Sequence, residues 1–201
     1  MRKFTRKPCP NVLLEPFSKN NTKSRWIIYG ERYAKQANRT YYNYPQINKE
    51  KLNHLIFPTL VEQTDAHCSY CDGFPLMSAD ETIDHFMPKS KFPHHVCDWG
   101  NLYVACAHCQ KVKGDKFDNL LLRPDELSYD FNAYYFYDFT DHKIKILPNL
   151  ATDKLRKAEV TCPILDFNHK AMQESRRQSY DGFIDKPDYP VEKLKHRFIF
   201  Q

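Results

Sequence analysis

Two pairs of cysteines at metal-binding spacing restrict this chain more than any other feature of its sequence. The pairs are Cys68-Ser69-Tyr70-Cys71 and Cys106-Ala107-His108-Cys109, with 34 residues between them. Each Cys-x-x-Cys turn presents two thiolates, and two turns supply the four ligands of a tetrahedral zinc ion with no open coordination position. We therefore expect a structural zinc site, and the alternative is four unrelated buried thiols.

The remaining cysteines indicate the redox environment. Cys9, Cys97 and Cys162 have no partner at metal spacing and are expected to be small apolar residues. Seven is an odd number of cysteines, and the basic start of the chain lacks the apolar segment of a secretory signal. No apolar run is long enough to cross a membrane. We therefore expect a reducing compartment, the cytoplasm.

Glycine usage excludes two large classes of nucleotide-binding protein. The chain has five glycines, and no two of them lie within one phosphate-binding loop. Neither a Walker A loop nor a Rossmann fingerprint can therefore be written from this sequence. A nucleotide-driven motor and a dinucleotide-dependent enzyme are both excluded.

Positive charge is concentrated at the beginning of the chain. The whole sequence carries a net charge of +5, but residues 1–40 hold ten Lys or Arg against two acids, a net +8 that leaves −3 elsewhere. A basic segment on a nearly neutral body suggests a polyanionic partner such as nucleic acid. A solubilising or partner-docking segment is the alternative.

The chain divides into three stretches. Residues 1–66 are expected to form a basic N-terminal arm followed by helices, residues 67–122 to hold the chemistry, and residues 123–201 to form an α+β extension that packs on it. The extension is expected to contain a hairpin over 133–147 and helices near 151–160 and 168–180.

Local signals predict the elements of the first two stretches. Ser24 is expected to cap one helix, and a second helix is expected from near Asn48 until Pro58 kinks or ends it. The middle stretch is predicted to contain the first Cys-x-x-Cys turn, a strand, a loop, a second strand, the second Cys-x-x-Cys turn and a helix. Each Cys-x-x-Cys turn is called a knuckle below. Its strands are expected at 81–86 and 101–105, and its helix is expected to start at Cys109.

The motifs of the middle stretch resemble those of the HNH endonucleases, whose fold is called ββα-metal. The resemblance rests on the two knuckles together with Ile83-Asp84-His85-Phe86-x-Pro88, Trp99-Gly100-Asn101-Leu102 and Cys109-Gln110-x-x-Lys113-Gly114-Asp115. Within that family the chain looks most similar to PtuB-type nuclease subunits of Septu and retron-associated antiphage systems. The resemblance implies an α+β fold with a ββα-metal HNH core, stabilised by a four-cysteine zinc site and flanked by N-terminal helices and a C-terminal hairpin plus helices.

The chemistry of phosphodiester hydrolysis suits the residues at these positions. His85, as an imidazole with an ordinary pKa of about 6.5, can take a proton from water at neutral pH, and it is the expected general base. Asp84 is an oxygen ligand for a catalytic Mg²⁺, with Mn²⁺ as an alternative. Neighbouring strand residues point to opposite faces, so both can face one ion only if the strand is bent. The resemblance implies such a distorted hairpin, and it implies that Asn101 holds the base histidine in place.

One position departs from the pattern of the family. The family has His or Asn as the second ligand of the catalytic metal just after the last cysteine, where this chain has Gln110. Glutamine offers the same amide oxygen one methylene further out, at a larger cost in side-chain entropy. Lys89, Lys91 and Lys113 are expected to contact nucleic acid, and plain solvation of each lysine is the alternative.

The expected function is that of a metal-dependent endonuclease in antiphage defence, and two other functions stay open. The resemblance implies an ATPase subunit of the PtuA type as a partner and, in retron systems, a reverse transcriptase with its RNA–DNA product. DNA and tRNA both stay open as substrates. The first alternative is a zinc-stabilised module that binds nucleic acid without cutting it. The second is a scaffold subunit whose basic arm docks on a large partner.

Overall fold

The computed structural model describes residues 1–38, 41–74, 76 and 82–200. The helices within these ranges are α1 (Asn11–Leu14), α2 (Arg25–Ala34), α3 (Leu52–Glu62), α4 (Ala107–Lys113), α5 (Thr152–Ile164) and α6 (Lys170–Asp185). The strands are β1 (Pro16–Ser18), β2 (Asn21–Ser24), β3 (Gln46–Ile47), β4 (Glu50–Lys51), β5 (Thr82–His85), β6 (Leu102–Ala105), β7 (Tyr135–Asp138) and β8 (Lys143–Ile146). No helix in the described ranges combines the length and apolar character needed to cross a membrane.

The strands pair as four separate antiparallel hairpins, so the fold is mixed α+β with small sheets. In the β5–β6 hairpin, which the two cysteine pairs flank, the register runs without interruption from Thr82 opposite Ala105 to His85 opposite Leu102. The register therefore contains no bulge, and Asp84, opposite Tyr103, and His85, opposite Leu102, leave the strand on different faces of the hairpin. Helix α4 follows β6 directly and packs against β5.

The β5–β6 hairpin separates two hydrophobic clusters. Tyr103 and Ala105 of β6 belong to a cluster that is completed mainly by the C-terminal part of the chain, including Phe198. Leu102 and Val104 belong to a second cluster, which is built mainly on the N-terminal helices. Because side chains alternate along a strand, each face of the hairpin is covered by a different end of the chain.

Helix α4 covers the outer edge of β5. The Phe86 N–H donates to the Asn101 carbonyl, which sets the backbone groups of residues 82, 84 and 86 toward β6 and leaves the Ile83 and His85 carbonyls on the outer edge. Gln110 Nε2 donates to the Ile83 oxygen over 3.2 Å, and Lys113 Nζ donates to the His85 oxygen over 2.6 Å. Two side chains one helical turn apart thus satisfy an otherwise open strand edge.

The N-terminal helices follow the sequence prediction in part. Helix α2 begins directly after Ser24 as expected, although the Ser24 side chain makes no capping hydrogen bond. Helix α3 begins at Leu52, later than predicted, and continues through Pro58 to Glu62, so the proline does not end it. Ile56 and Leu60, on either side of the proline, are fully buried in the second cluster, and this packing outweighs the local cost of the proline.

The remaining predicted elements are present with shifted ends. The C-terminal hairpin and both C-terminal helices are confirmed, and the helices extend further than predicted, to Ile164 and Asp185. Strand β5 covers residues 82–85 of the predicted 81–86, and Glu81 lies outside the described residues. Helix α4 begins at Ala107, inside the second knuckle and two residues earlier than predicted.

Candidate metal centre and active site

The two cysteine pairs converge on one point. The sulfur atoms of Cys68, Cys71, Cys106 and Cys109 all lie within 4.8 Å of one another, and the Cys71 and Cys106 sulfurs are 3.8 Å apart. A tetrahedral zinc ion with Zn–S bonds of about 2.3 Å separates its sulfurs by about 3.8 Å. The four-cysteine cluster therefore fits a structural metal ion such as zinc, as the spacing predicted.

Residues from distant parts of the chain support the cluster. The Cys106 N–H donates to Cys68 Sγ over 3.3 Å, which links the two knuckles directly. His196 Nδ1 donates to the Cys71 carbonyl over 2.6 Å. Asp72, directly after the first knuckle, forms a buried ion pair with Arg197 at 2.8 Å. The C-terminal segment is thus anchored to the first knuckle, a connection between positions 125 residues apart that no local sequence signal indicated.

His85 is held in one tautomer. Its Nε2 lies 2.9 Å from the Val96 carbonyl, and because a carbonyl only accepts, Nε2 must carry the proton. Nδ1 makes no hydrogen bond to any residue in the described ranges and is the proton-accepting nitrogen. Burial lowers the pKa of His85 to about 4, so the ring is neutral at neutral pH. Nδ1 can therefore accept a proton, as a weaker base than a solvent-exposed imidazole.

Asp84 is buried between two donors. Its Oδ2 accepts a 2.6 Å hydrogen bond from the Tyr70 hydroxyl and lies 3.0 Å from Lys113 Nζ. Burial raises the pKa of Asp84, while the Lys113 ammonium and the Tyr70 hydrogen bond oppose that rise. Oδ1 has no hydrogen-bond partner within the described residues and is the oxygen that an ion could use.

Asn101 is linked to His85 through the loop between the two strands. Its Oδ1 accepts from the Met87 N–H over 2.7 Å, and its Nδ2 donates to the Met87 and His95 carbonyls, each at 3.0 Å. These bonds close the loop whose next residue, Val96, holds the His85 ring. Within the described chain no hydrogen bond joins Asn101 to that ring, and the link between them runs through the loop backbone.

Gln110 leaves one oxygen for an ion. Its amide nitrogen is used on the Ile83 carbonyl, next to Asp84 in β5, so its Oε1 remains an acceptor. Carboxylate and amide oxygens are the ligands that Mg²⁺ prefers. Asp84 Oδ1 and Gln110 Oε1 therefore each have the chemistry that a divalent ion requires of a ligand.

The three lysines expected at nucleic acid lie in different surroundings. The expectation for Lys113 needs correction, because this residue is fully buried and its ammonium contacts Asp84 and the His85 carbonyl. It shares the helix face of Gln110, and that face packs on β5, so the side chain points inward. Lys91 is exposed and donates to the Asp115 carbonyl over 2.8 Å, whereas Lys89 is half-buried in the same loop.

The basic N-terminal segment is folded onto the body of the molecule. Arg6 Nε lies 2.7 Å from Asp125 Oδ2, in the stretch that follows the two strands and α4. Among the described residues of this segment, five basic side chains have an acidic partner, in the pairs Arg2–Glu192, Arg6–Asp125, Lys7–Glu62, Lys23–Glu31 and Arg25–Glu15. The positive charge of the segment is therefore partly neutralised, which weakens the argument that it is an arm for polyanions.

Two groups that contact the candidate site residues were not identified from the sequence. Tyr70 lies between the cysteines of the first knuckle, and an aromatic residue inside so tight a turn was a signal that its side chain is buried nearby. The Val96 carbonyl, which fixes the His85 tautomer, gave no signal because backbone groups are the same at every position.

These features define a mixed α+β protein in which a hairpin and a helix lie beside a four-cysteine cluster that can bind zinc. No family defined by a sequence model matches the chain. A curated protein that is similar to part of it is the Septu protein PtuB of Bacillus thuringiensis, 34% identical over 56 residues, which is 27% of this chain. The match spans 22% of the length of that relative and supports a distant relationship.

Proposed function

We propose that this chain is a metal-dependent HNH-type endonuclease that hydrolyses phosphodiester bonds in nucleic acid. Strands β5 and β6 with helix α4 form its ββα core, and the four-cysteine cluster holds the structural zinc. The domain division at residues 66/67 and 122/123 is part of this proposal. The observation that carries it is His85, whose buried ring is held through Nε2 by the Val96 carbonyl and keeps a neutral, unprotonated Nδ1.

The proposed reaction begins at His85. Nδ1 takes a proton from a water molecule, the resulting hydroxide attacks the phosphorus, and the bond from phosphorus to the departing sugar oxygen breaks. Val96 keeps the ring oriented through Nε2, and Asn101 holds the loop that carries Val96. A divalent ion held by Asp84 and Gln110 would neutralise charge on the phosphate and the leaving oxygen. Asp84 and His85 leave β5 on opposite faces, so the proposal requires the end of this strand to bend until both side chains face the same phosphate.

Substrate contacts are assigned to the loop after β5. Lys89 and Lys91 are proposed to bind phosphates of the substrate, because both belong to the loop that holds the His85 ring. Lys113 has no part in this contact because its ammonium is used inside the core. DNA and tRNA have the same scissile group and both remain candidate substrates.

The similarity to the Septu protein PtuB supports a role in antiphage defence. We propose that the chain works as a Septu-type component with an ATPase subunit of the PtuA type. A retron reverse transcriptase with its RNA–DNA product stays a prediction of the sequence resemblance. The lack of a phosphate-binding loop among the five glycines agrees with a separate ATPase subunit.

The test of the proposed function is His85→Ala. We expect Mg²⁺-dependent nicking of a supercoiled plasmid or cleavage of tRNA by the purified protein, with its ATPase partner if needed, to fall at least ~1,000-fold, an order-of-magnitude expectation for loss of a general base. Metal analysis should still find one zinc per chain, because the four sulfurs are untouched.

His54→Ala is the matched control, since His54 is an exposed histidine of α3. It should cleave at the wild-type rate. Unchanged cleavage by His85→Ala would remove the catalytic assignment. Absence of cleavage by the wild-type protein together with its partner would instead favour the second candidate.

The second candidate is a zinc-stabilised nucleic-acid-binding or scaffold subunit without catalysis. Two observations favour it: Lys113 already neutralises Asp84, and Asp84 and His85 are only 5% and 7% exposed. Such a subunit would bind nucleic acid with an affinity that falls steeply with salt, whereas a hydrophobic docking interface would not.

A further inference from the structure

The first knuckle contacts the candidate active site through one side chain. Tyr70 stands between Cys68 and Cys71, is 1% exposed, and donates its hydroxyl proton to Asp84 Oδ2 over 2.6 Å. A short hydrogen bond to a buried carboxylate is stronger than one between neutral groups. The phenol therefore restricts where the Asp84 carboxylate can lie.

The position of the phenol is set by the knuckle itself. The Ser69 N–H donates to the Val104 carbonyl, and the Cys68 N–H donates to the Gly73 carbonyl, both over 3.0 Å. The ring of Tyr70 stacks on Tyr103, with centroids 6.0 Å apart and planes inclined by 21°. With the turn and the ring both fixed, a shift of the knuckle has to shift the hydroxyl.

Both donors to Asp84 belong to segments that also carry cluster cysteines. Tyr70 lies in the turn of Cys68 and Cys71, and Lys113 lies on α4, which also carries Cys109. The two donors share Oδ2, and this arrangement leaves Oδ1 without a hydrogen bond in the described part of the chain.

We propose that Tyr70 is a positioning residue that couples the four-cysteine cluster to Asp84, by holding Oδ2 so that Oδ1 is presented to a divalent ion. The cluster then does more than stabilise the fold, because it sets the orientation of an ion ligand. This inference rests on the proposed function and goes beyond it. The proposed function gives no role to Tyr70 and no link between the four-cysteine cluster and Asp84.

Tyr70→Phe tests the proposal through ion binding. Mn²⁺ affinity is measured by electron paramagnetic resonance on zinc-loaded protein, and we expect it to fall about 10-fold or more, as for loss of a group that orients a metal ligand. Zinc content should stay at one per chain. Tyr103→Phe is the matched control: it also removes a buried hydroxyl that donates to a carboxylate, Asp125, and Mn²⁺ affinity should stay within about twofold.

The outcomes separate this inference from the proposed function. Wild-type Mn²⁺ affinity in Tyr70→Phe, alongside lost binding in Asp84→Ala, overturns the role of Tyr70 and leaves the ion site standing. Equal Mn²⁺ binding by the wild-type protein and Asp84→Ala overturns the ion site, and the inference falls with it. A loss in Tyr70→Phe that Tyr103→Phe reproduces also overturns the inference, because the effect is then one of general packing.

A second measurement serves if Tyr70→Phe folds poorly. With 3-fluorotyrosine at position 70, the ring and hydroxyl are kept and the fluorine resonance reports on the bond to Asp84. Addition of Mg²⁺ should shift this resonance in the otherwise wild-type protein and leave it unchanged with Asp84→Ala. If the protein binds Mg²⁺ and the fluorine resonance does not shift, the proposed coupling is overturned.

Discussion

Lys113 shows how one buried charge shapes the candidate site. Its ammonium has no exposure to solvent and is shared by the Asp84 carboxylate and the His85 carbonyl. An isolated buried charge is costly, so each member of such a pair depends on the other. Lys113 therefore stabilises an ionised Asp84 and fixes the backbone of the proposed base.

Removal of this lysine is expected to cost more than removal of a typical buried contact. Lys113→Met keeps a similar volume but leaves the Asp84 carboxylate with Tyr70 alone, and we expect the free energy of unfolding to fall by about 3–5 kcal/mol. Urea denaturation measures this loss. The double variant Lys113→Met/Asp84→Asn, with both charges removed, should recover much of it.

The control for this prediction is Lys111→Met, at an exposed lysine on the same helix. It should change the free energy of unfolding by no more than about 0.5 kcal/mol. Equal losses in the free energy of unfolding for Lys113→Met and Lys111→Met would show that the buried ion pair does not stabilise the fold more than an exposed lysine does.

At the scale of elements, helix α2 supports the loop that holds the His85 ring. A Cβ built on Gly30 would lie 2.1 Å from the His94 carbonyl oxygen, a contact that no rotamer can relieve because the oxygen belongs to the backbone. The absence of a side chain at Gly30 thus lets α2 approach the segment Pro93–His95. Val96, which binds the His85 ring, comes next in the chain.

Gly30→Ala should push the loop away from α2. We expect a loss of about 2 kcal/mol in the free energy of unfolding, in the range of overpacked cores, and slower cleavage because the Val96 carbonyl moves. Thermal denaturation and the nicking assay measure the two effects.

Gly182→Ala is the matched control, because Gly182 lies inside α6 and a Cβ there would meet nothing within 4 Å. It should stabilise the protein by about 0.5–1 kcal/mol. A neutral Gly30→Ala would show that the loop accommodates the methyl group.

The elements also show how far the sequence could predict this structure. The four cysteines were predictable because ligand spacing is a local property, and the hairpin β7–β8 because alternation and turn residues are local too. The position of Pro58 inside a helix and the burial of Lys113 were not predictable, because each depends on residues from elsewhere in the chain that pack around it. The link from Tyr70 to Asp84 likewise exists only once a turn and a strand meet.

At the scale of the whole molecule, the N-terminal segment is attached through Asp125. This carboxylate receives Arg6 at 2.7 Å, Arg123 at 3.4 Å and the Tyr103 hydroxyl. Burial alone would raise the pKa of Asp125, but Arg6, Tyr103 and Arg123 outweigh it, and the pKa is lowered from 3.8. The carboxylate therefore stabilises the fold above pH 3.8, and this contribution is lost as the pH falls further.

Asp125→Asn should accordingly destabilise the protein in a pH-dependent way. We expect a loss of about 3 kcal/mol at neutral pH, where Arg6 is left without its partner. The difference between variant and wild type should shrink as the pH is lowered below about 4. Urea denaturation at a series of pH values measures it.

Glu50→Gln, at an exposed acid, serves as the control and should show no such dependence. A constant difference for Asp125→Asn across this pH series would mean that the ion pairs do not hold the segment in place.

The two-sided covering of the β5–β6 hairpin has a consequence for biosynthesis. One face is covered by residues made before the hairpin and the other by residues as late as Phe198. While the ribosome is still translating, the face that bears Asp84 is open to water and its apolar neighbours have nothing to pack on. A nascent chain therefore completes these surroundings only after Phe198 has been made, and a chain stalled before that point exposes apolar surface to chaperones and proteases.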